Sequence, residues 1–326
     1  MTSTKEKLIL LFLVIASVLL SLSIGRYPLH PKEIISALFN PGSMDQTTQI
    51  ILFNLRLPRI LAAFCIGAAL SLSGAVFQTI FKNPMVSPSV LGASSGAAFG
   101  AALAILLGLG QIFIQIFSFL TGLGAVMIAV LLSSMGKRKN RNLLLVLSGM
   151  LVNTFFTSLI SLVKYVADPQ NTLPTITYWL MGSLAESEMH KSIFMAVVVL
   201  LCGTLLYLIR WRIAALSLGE DEIRSLGIDP RIHRFIVILC TTLLTSAAVS
   251  ISGVIGWVGL VVPHIVRLWI PNNFSRMLWT SVFTGGLYLL LIDTLSRAIT
   301  PLEFPLGILT SIIGAPFFAY FLLKES

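Results

Sequence analysis

The chain has 326 residues, of which 56% are hydrophobic and only 11% charged, with a formal net charge of +9. A soluble domain carries about 25% charged residues, so this composition excludes an ordinary soluble protein. Apolar runs of the roughly 20 residues needed to span a bilayer occur from end to end. The sequence therefore predicts an all-α polytopic membrane protein with a single transmembrane domain over residues 1–326.

About ten transmembrane helices are predicted from ten apolar segments: 8–24, 58–80, 90–108, 112–134, 143–163, 192–210, 234–252, 255–270, 278–297 and 306–323. The first segment is not followed by a small-residue cleavage site, so it is expected to be a retained helix. A run within the loop 167–191 is too short to span and predicts an interfacial or re-entrant helix. Lys and Arg are concentrated in the loops that share a side with the N-terminus, which predicts cytoplasmic termini.

The stretch 56–84 is dense in Ala, Gly and Ser, and it ends at a Lys-Asn-Pro break. Small residues allow close backbone approach, so this helix is expected to be surrounded by other helices. Its centre, AALSLSGAV at 68–76, recurs as AAVSISGVI at 247–255. Five predicted crossings separate the copies, which therefore face opposite ways and indicate an inverted repeat of the kind found in transporters.

The sequence contains no phosphate-binding loop, no HExxH and no Cys/His cluster with ligand spacing, so neither a catalytic nor a metal site is predicted. Asp293 and Arg297 share a helix face, and we interpret them as an intramembrane ion pair with a structural or a functional role. Arg56 and Arg59 lie at the outer end of their helix. With Arg297 they are expected either to form a basic ring facing an acidic partner or to snorkel at the interface.

The long external loop is placed at 25–57 and the largest cytoplasmic loop at 210–234. The cytoplasmic loop combines the acidic run 220–222 with several apolar, helix-forming residues. Short helices are predicted on either side of Gly219, with Gly227 and Pro230 ending the second. A docking surface for a cytoplasmic partner explains this composition better than a solvated connector does.

Several motifs, in this order along nearly the whole chain, resemble one transport family: RLPR at 56–59, GAALSLSGAVFQTIFKNP at 67–84, WLMGSL at 179–184, GVIGWVGLVVPHIVRL at 253–268, DTLSR at 293–297 and PLGILTSIIGAPFF at 305–318. They are similar to the FecCD-type permease subunits of binding-protein-dependent ABC importers for iron-siderophores, haem and cobalamin. The resemblance implies a type II importer permease of ten helices in a bacterial or archaeal inner membrane. It also implies a homodimer that works with two cytoplasmic ATP-binding subunits and an extracytoplasmic substrate-binding protein. ATP would be used by the partner subunits, with no cofactor bound by this chain and no nucleic acid involved.

The resemblance also implies roles for particular residues. Arg56, Arg59 and Arg297 would receive acidic residues of the binding protein, and Asn140 and Arg141 align with the cytoplasmic gate. At this gate cobalamin permeases tend to carry small hydroxyl residues. The segment that would insert into the ATPase comprises Leu216, Ser217, Leu218, Gly219, Glu220, Asp221, Glu222, Ile223, Arg224, Ser225, Leu226 and Gly227.

The expected function is ATP-driven import of a metal chelate by alternating access, with iron-siderophore first, then haem, cobalamin, and molybdate or tungstate. The alternative is an ion-coupled secondary transporter that uses Asp293 as its proton or sodium site. Uptake that survives collapse of the proton gradient but stops on ATP depletion separates the two.

Overall fold

The computed structural model describes residues 4–25, 27–30, 34, 45–135, 141–218, 220–271, 273–299 and 303–325, and all regular structure in these ranges is helical. The helices are α1 Thr4–Ser23, α2 Leu57–Ile80, α3 Ala93–Leu106, α4 Gln111–Met135, α5 Arg141–Val166, α6 Thr172–Leu180, α7 Met189–Leu208, α8 Arg210–Ala215, α9 Glu220–Ser225, α10 Pro230–Ser252, α11 Val258–Trp269, α12 Phe274–Ile299 and α13 Leu306–Glu325. A 3-10 turn, Pro88–Leu91, precedes α3.

Ten of these helices correspond one to one to the ten predicted apolar segments. Among the described residues, six helical stretches are long and apolar enough to cross a membrane, and four more are apolar but shorter. The shorter ones lie in α1, α3, α11 and α13. The all-α fold and its approximate span count are thus confirmed, and the chain is a multi-pass membrane protein.

Helix α2 is the centre of the bundle and packs against α7, α10, α11 and α12. In the most apolar 18 residues of its helical stretch, 89% are buried inside the bundle, whereas 28% are buried in the most apolar 18 residues of α4. Two pairs of glycines lie where α2 crosses its neighbours most closely. A methyl group on Gly74 would lie 1.7 Å from the Gly259 carbonyl oxygen, and a methyl group on Gly67 would lie 2.2 Å from the Gly285 carbonyl oxygen. Small side chains therefore allow α2 to contact α11 and α12 backbone to backbone, as the sequence predicts.

The continuous helical stretch that contains α2 begins at Gln46, twelve residues earlier than the predicted segment 58–80. Asp45 caps the turn Gln46–Gln49 by accepting a hydrogen bond from the Thr48 amide at 3.1 Å. A π-helical stretch, Ile50–Arg56, then leads without a break into α2. The prediction of a loop over residues 25–57 is therefore wrong for residues 46–56, which are helical. Leu52 is buried in the core and Ile51 and Phe53 pack against it. Pro58 follows a widened π-helical turn of the kind that accompanies helix irregularities.

Three irregular segments meet inside the bundle and satisfy one another's backbone groups. The short helix α6 ends at Leu180, after which the Ser183 amide donates to the Ser252 carbonyl at 2.8 Å. The Leu306 amide donates to the Gly182 carbonyl at 2.9 Å, and the Gly307 amide donates to the Met181 carbonyl at 3.0 Å. Non-helical backbone at membrane depth is tolerated where such pairing is available. This geometry agrees with a re-entrant segment after residue 167.

The two copies of the repeated nine-residue motif differ in conformation. Gly74 lies in the interior of α2, whereas Gly253 follows the last residue of α10 with φ of +68°. The prolines behind them differ as well, since Pro84 lies in a turn and Pro263 lies within α11. The inverted repeat stays a prediction.

Candidate functional site

A buried ion pair connects α2 to α12 near the N-terminal end of α2. The Arg59 Nη2 donates to the Asp293 Oδ1 at 2.8 Å, and Nε donates to Oδ1 at 2.9 Å and to Oδ2 at 3.1 Å. The Asp293 side chain is fully buried and that of Arg59 is 9% exposed. Such two-pronged contacts between guanidinium and carboxylate are the strongest kind of charged hydrogen bond.

Two further charges complete this group. The Arg59 Nη1 lies 2.9 Å from the Glu303 Oε2 and donates to Oε1 at 3.1 Å. Arg297, one helical turn beyond Asp293, places its Nε 3.2 Å from the Asp293 Oδ2. The predicted contact of Asp293 with Arg297 is present, but Arg59 is the partner that makes the closer, two-pronged contact. We refer to Arg59, Asp293, Arg297 and Glu303 as the charged cluster.

Arg56 and Arg297 also bind the C-terminal end of α1. Arg56 donates to the carbonyl oxygens of Leu22 and Tyr27. Arg297 donates to the Ser21 hydroxyl at 2.7 Å and to the Ile24 carbonyl at 3.2 Å. The last carbonyls of a helix have no partner within the helix and carry partial negative charge, so cationic donors stabilise them.

Gly25 lies directly beside the Arg56 guanidinium. A methyl group at Gly25 would lie 2.9 Å from the Arg56 Nη2, so a larger residue would obstruct the guanidinium. The sequence predicts either a basic ring facing an acidic partner or arginines that snorkel at the membrane interface. The structure instead shows the arginine side chains largely buried and bound within the chain, because α1, α2 and α12 converge here. Docking by Arg56, Arg59 and Arg297 stays a prediction.

At the other end of the bundle, the loop 210–234 is held in place by its apolar residues. Ile213, Leu216 and Ile223 are buried in the main hydrophobic core, which also contains residues of α2 and α10. Helices α8 and α9 lie on either side of Gly219, as predicted. Burial of one apolar stripe fixes how these short helices sit on the bundle, since helices this short are not stable alone.

The opposite face of this loop points away from the chain. Leu218 and Leu226 are exposed, as are Glu222 and Arg224. Gly227, with φ of +72°, ends the loop's second helical turn, whereas Pro230 begins α10 behind an Asp229 cap rather than ending α9. Leu216 and Ile223 are buried and anchor the loop, and their assignment to the coupling segment stays a prediction. We call the exposed residues Leu218, Glu222, Arg224 and Leu226 the outward face of the loop.

Some predicted site residues lie outside the described part of the chain. Gly219 and Asn140 are not described, nor are the side chains of Glu220, Asp221 and Arg141. The backbone of Arg141 begins α5, and that of Glu220 begins α9. The gate assignment for Asn140 and Arg141 therefore stays a prediction, as does the part of the coupling segment at 219–221.

Sequence reasoning missed the role of Glu303. The available signal was a charge imbalance, because three arginines were predicted near the outer end against a single carboxylate, Asp293. Buried charges are costly unless paired, so a second acid was to be expected. Its identity could not be read from the sequence, because Glu303 lies in the segment before α13 and 244 positions from Arg59.

A bundle of apolar helices around a small-residue helix, with a re-entrant backbone junction and an anchored polar loop at one end, defines a transport permease of the multi-pass class. Comparisons with known proteins give the family. A model of the FecCD transport family matches residues 12–324. The chain belongs to this family and is an ABC importer permease subunit.

Similar proteins cover almost the whole chain. The "Molybdate import system permease protein MolB" of Haemophilus influenzae is 39% identical over 97% of this chain and 94% of its own. The "Probable iron chelatin transport system permease protein" of Helicobacter pylori is 39% identical over 93% and 88%. A solved structure described as an inward-facing conformation of a metal-chelate type ABC transporter superposes with a TM-score of 0.90 at 38% identity, covering 99% of this chain and all of that one. The type II importer permease fold is thereby confirmed.

Proposed function

We propose that this chain is the membrane-spanning subunit of an ATP-driven importer that moves an iron-siderophore complex across a bacterial or archaeal inner membrane. Two copies would form the path, and two cytoplasmic ATPase subunits would supply the energy. An extracytoplasmic binding protein would deliver the substrate. Both termini and the loop 210–234 would be cytoplasmic.

The observation that carries this proposal is the two-sided character of the loop 210–234. Its inner side is bound to the core through Ile213, Leu216 and Ile223, so a force on the loop is transmitted to α2 and α10. Its outward face offers two exposed leucines beside charged groups, Glu222 and Arg224. An apolar patch with charged neighbours has the composition of a protein interface.

The coupling assignment is tested by removing the outward face without disturbing the anchor. The double variant Glu222→Ala/Leu226→Ala, co-expressed with the ATPase and binding-protein subunits, is expected to lose substrate-stimulated ATP hydrolysis and uptake while the permease still reaches the membrane. Glu186→Ala is the control, since it removes an exposed carboxylate from the loop between α6 and α7, at the other end of the bundle. Normal uptake by the double variant would remove the basis for the docking assignment.

The choice of substrate rests on the two relatives named above, which carry molybdate and iron chelatin in their names. Proteoliposomes that contain the complete importer would be given a radiolabelled ferric siderophore or radiolabelled molybdate. Accumulation of the iron chelate supports the proposal. Accumulation of molybdate alone would overturn the choice of substrate while leaving the importer class intact.

The alternative, ion-coupled transport through Asp293, is disfavoured by the charged cluster. A carboxylate that binds and releases a coupling ion has to be accessible in at least one state, and it works best without a fixed counter-charge. Asp293 is fully buried and contacts both Arg59 and Arg297. Uptake that stops when an uncoupler collapses the proton gradient, with ATP held constant, would reverse this preference.

A further inference from the structure

A cavity of about 800 Å³ lies at the loop 210–234 end of the bundle, away from the charged cluster. It is enclosed by the first half of α1, by the junction of α7 with α8, and by the first turns of α12. Its volume falls within the range of about 300–1,000 Å³ that is typical of small-molecule sites. The ATPase-coupling segment 216–227 does not line it.

One end of this cavity is cationic. Arg210 lines it and donates to the Ser275 hydroxyl at 3.1 Å and to the Tyr207 carbonyl at 2.9 Å, with its guanidinium 4.2 Å from the Tyr207 ring centre. These partners are neutral, so they orient the guanidinium without cancelling its charge. Arg276 supplies a second guanidinium to the same wall, and none of the lining residues in the described part of the chain is acidic.

Aromatic side chains surround this cationic end. The rings of Tyr207 and Trp279 lie edge to face, 5.4 Å apart, and Trp211 lies beside Arg210. Trp211 is 73% exposed and Trp279 is 49% exposed, so both indoles lie on the outer surface of the bundle. Tryptophan and tyrosine are enriched at the headgroup level of bilayers, which places the cavity at that level.

The other end of the cavity is apolar and faces outward. Leu10 and Leu11 of α1 line it with Phe283 of α12. Leu11 belongs to the exposed apolar side of α1, which would contact lipid in a membrane. The cavity thus combines a cationic headgroup-level end with an apolar end continuous with the acyl-chain region.

We propose that this cavity binds an anionic phospholipid, with its phosphate at the Arg210 guanidinium and an acyl chain along Leu10, Leu11 and Phe283. Basic pockets between transmembrane helices on the cytoplasmic side are suited to such headgroups. The lipid would connect α1 to α12 and to the start of the coupling loop. Assignment to the cytoplasmic leaflet rests on the orientation proposed above, whereas binding itself does not.

The first test measures lipid retention by the full chain in detergent, using native mass spectrometry with phosphatidylglycerol, phosphatidylcholine or inorganic phosphate. Wild-type protein is expected to retain phosphatidylglycerol preferentially. Arg210→Gln is expected to weaken that binding about 5-fold, given about 1 kcal/mol for one arginine near the membrane surface. Arg212→Gln is the matched control, because Arg212 is an exposed arginine of the same helix that does not line the cavity. Equal retention of the two lipids, or binding of inorganic phosphate alone, would overturn the proposal.

A second measurement does not depend on the folding of the Arg210→Gln variant. Phosphatidylglycerol and phosphatidylcholine brominated on their acyl chains quench tryptophan fluorescence on contact. Wild-type protein is expected to be quenched at lower mole fractions of the anionic lipid, and Trp211→Phe/Trp279→Phe is expected to remove most of that difference. Identical quenching curves for the two lipids with the wild-type protein would contradict a headgroup-selective site. Neither experiment requires transport, so failure here is distinguishable from failure of the proposed function.

Discussion

Arg59 and Asp293 are 234 positions apart in the chain, and they form a two-pronged ion pair that is almost completely buried. The pair fixes α2 against α12, the two helices that also meet at Gly67 and Gly285. A charge pair and a glycine contact thus act on the same interface. The charge pair specifies the register of the two helices, and the glycines set their separation.

Asp293→Ala is expected to destabilise the protein by about 3–5 kcal/mol, because it leaves Arg59 buried without its main counter-charge. Reversible unfolding of the full chain in mixed detergent micelles measures this change. The double variant Arg59→Met/Asp293→Leu removes both charges together and is expected to recover much of the loss. If Asp293→Ala were as stable as the wild type, the pair would have no structural role.

Gly74→Ala is expected to destabilise the contact between α2 and α11, because the added methyl group would lie 1.7 Å from the Gly259 carbonyl oxygen. Overpacking of this kind typically costs about 1–3 kcal/mol. Gly124→Ala on α4 is the matched control, since no atom lies within 4 Å of its added methyl group. It should be neutral or stabilising, as alanine is favoured over glycine in a helix by about 1 kcal/mol. Thermal unfolding in detergent measures the melting temperatures of both variants. Equal melting temperatures for Gly74→Ala and Gly124→Ala would contradict this prediction.

Gly253→Ala is expected to disrupt the re-entrant junction. Gly253 has φ of +68° and ψ of −165°, a combination that only glycine adopts readily. Its added methyl group would also lie 2.3 Å from the Trp179 carbonyl oxygen, whereas one on nearby Gly256 would meet nothing within 4 Å. Protease sensitivity of the loop 167–191 is the measurement. Gly253→Ala should increase cleavage and Gly256→Ala should not, and the reverse order would refute the account.

Ile223→Ala and Leu226→Ala are expected to differ although they lie three residues apart in the coupling loop. Ile223 is fully buried, so its truncation should lower stability by about 2–5 kcal/mol. Leu226 is 60% exposed, so its truncation should leave stability within about 0.5 kcal/mol and lower ATP-dependent uptake instead. Unfolding and transport assays on the same preparations separate the two effects. Loss of uptake without loss of stability in Ile223→Ala would show that the inner side of the loop is not an anchor.

The loop 210–234 shows how far sequence reasoning reached. Its two short helices around Gly219 were predicted from glycine and proline positions among helix-forming apolar residues, and both helices are present. Which leucines face the core and which face outward was not predicted. In a loop of two short helices that choice depends on the surface beneath them, and the sequence of the loop alone does not contain it.

The sequence by itself determined the membrane character of the protein, its ten apolar segments and the close packing of α2, because these depend on composition and small-residue content along single helices. Only the tertiary structure decided that Arg59 pairs with Asp293 and Glu303, and that Arg56 caps α1 rather than standing open at the surface. Which charges meet depends on the rotation and depth of each helix in the bundle. These are set by contacts between segments that are distant in the chain, such as those of Arg59 and Asp293, 234 positions apart. A buried charge requires a counter-charge. The sequence could therefore predict that such a partner exists, but only the fold shows which residue it is.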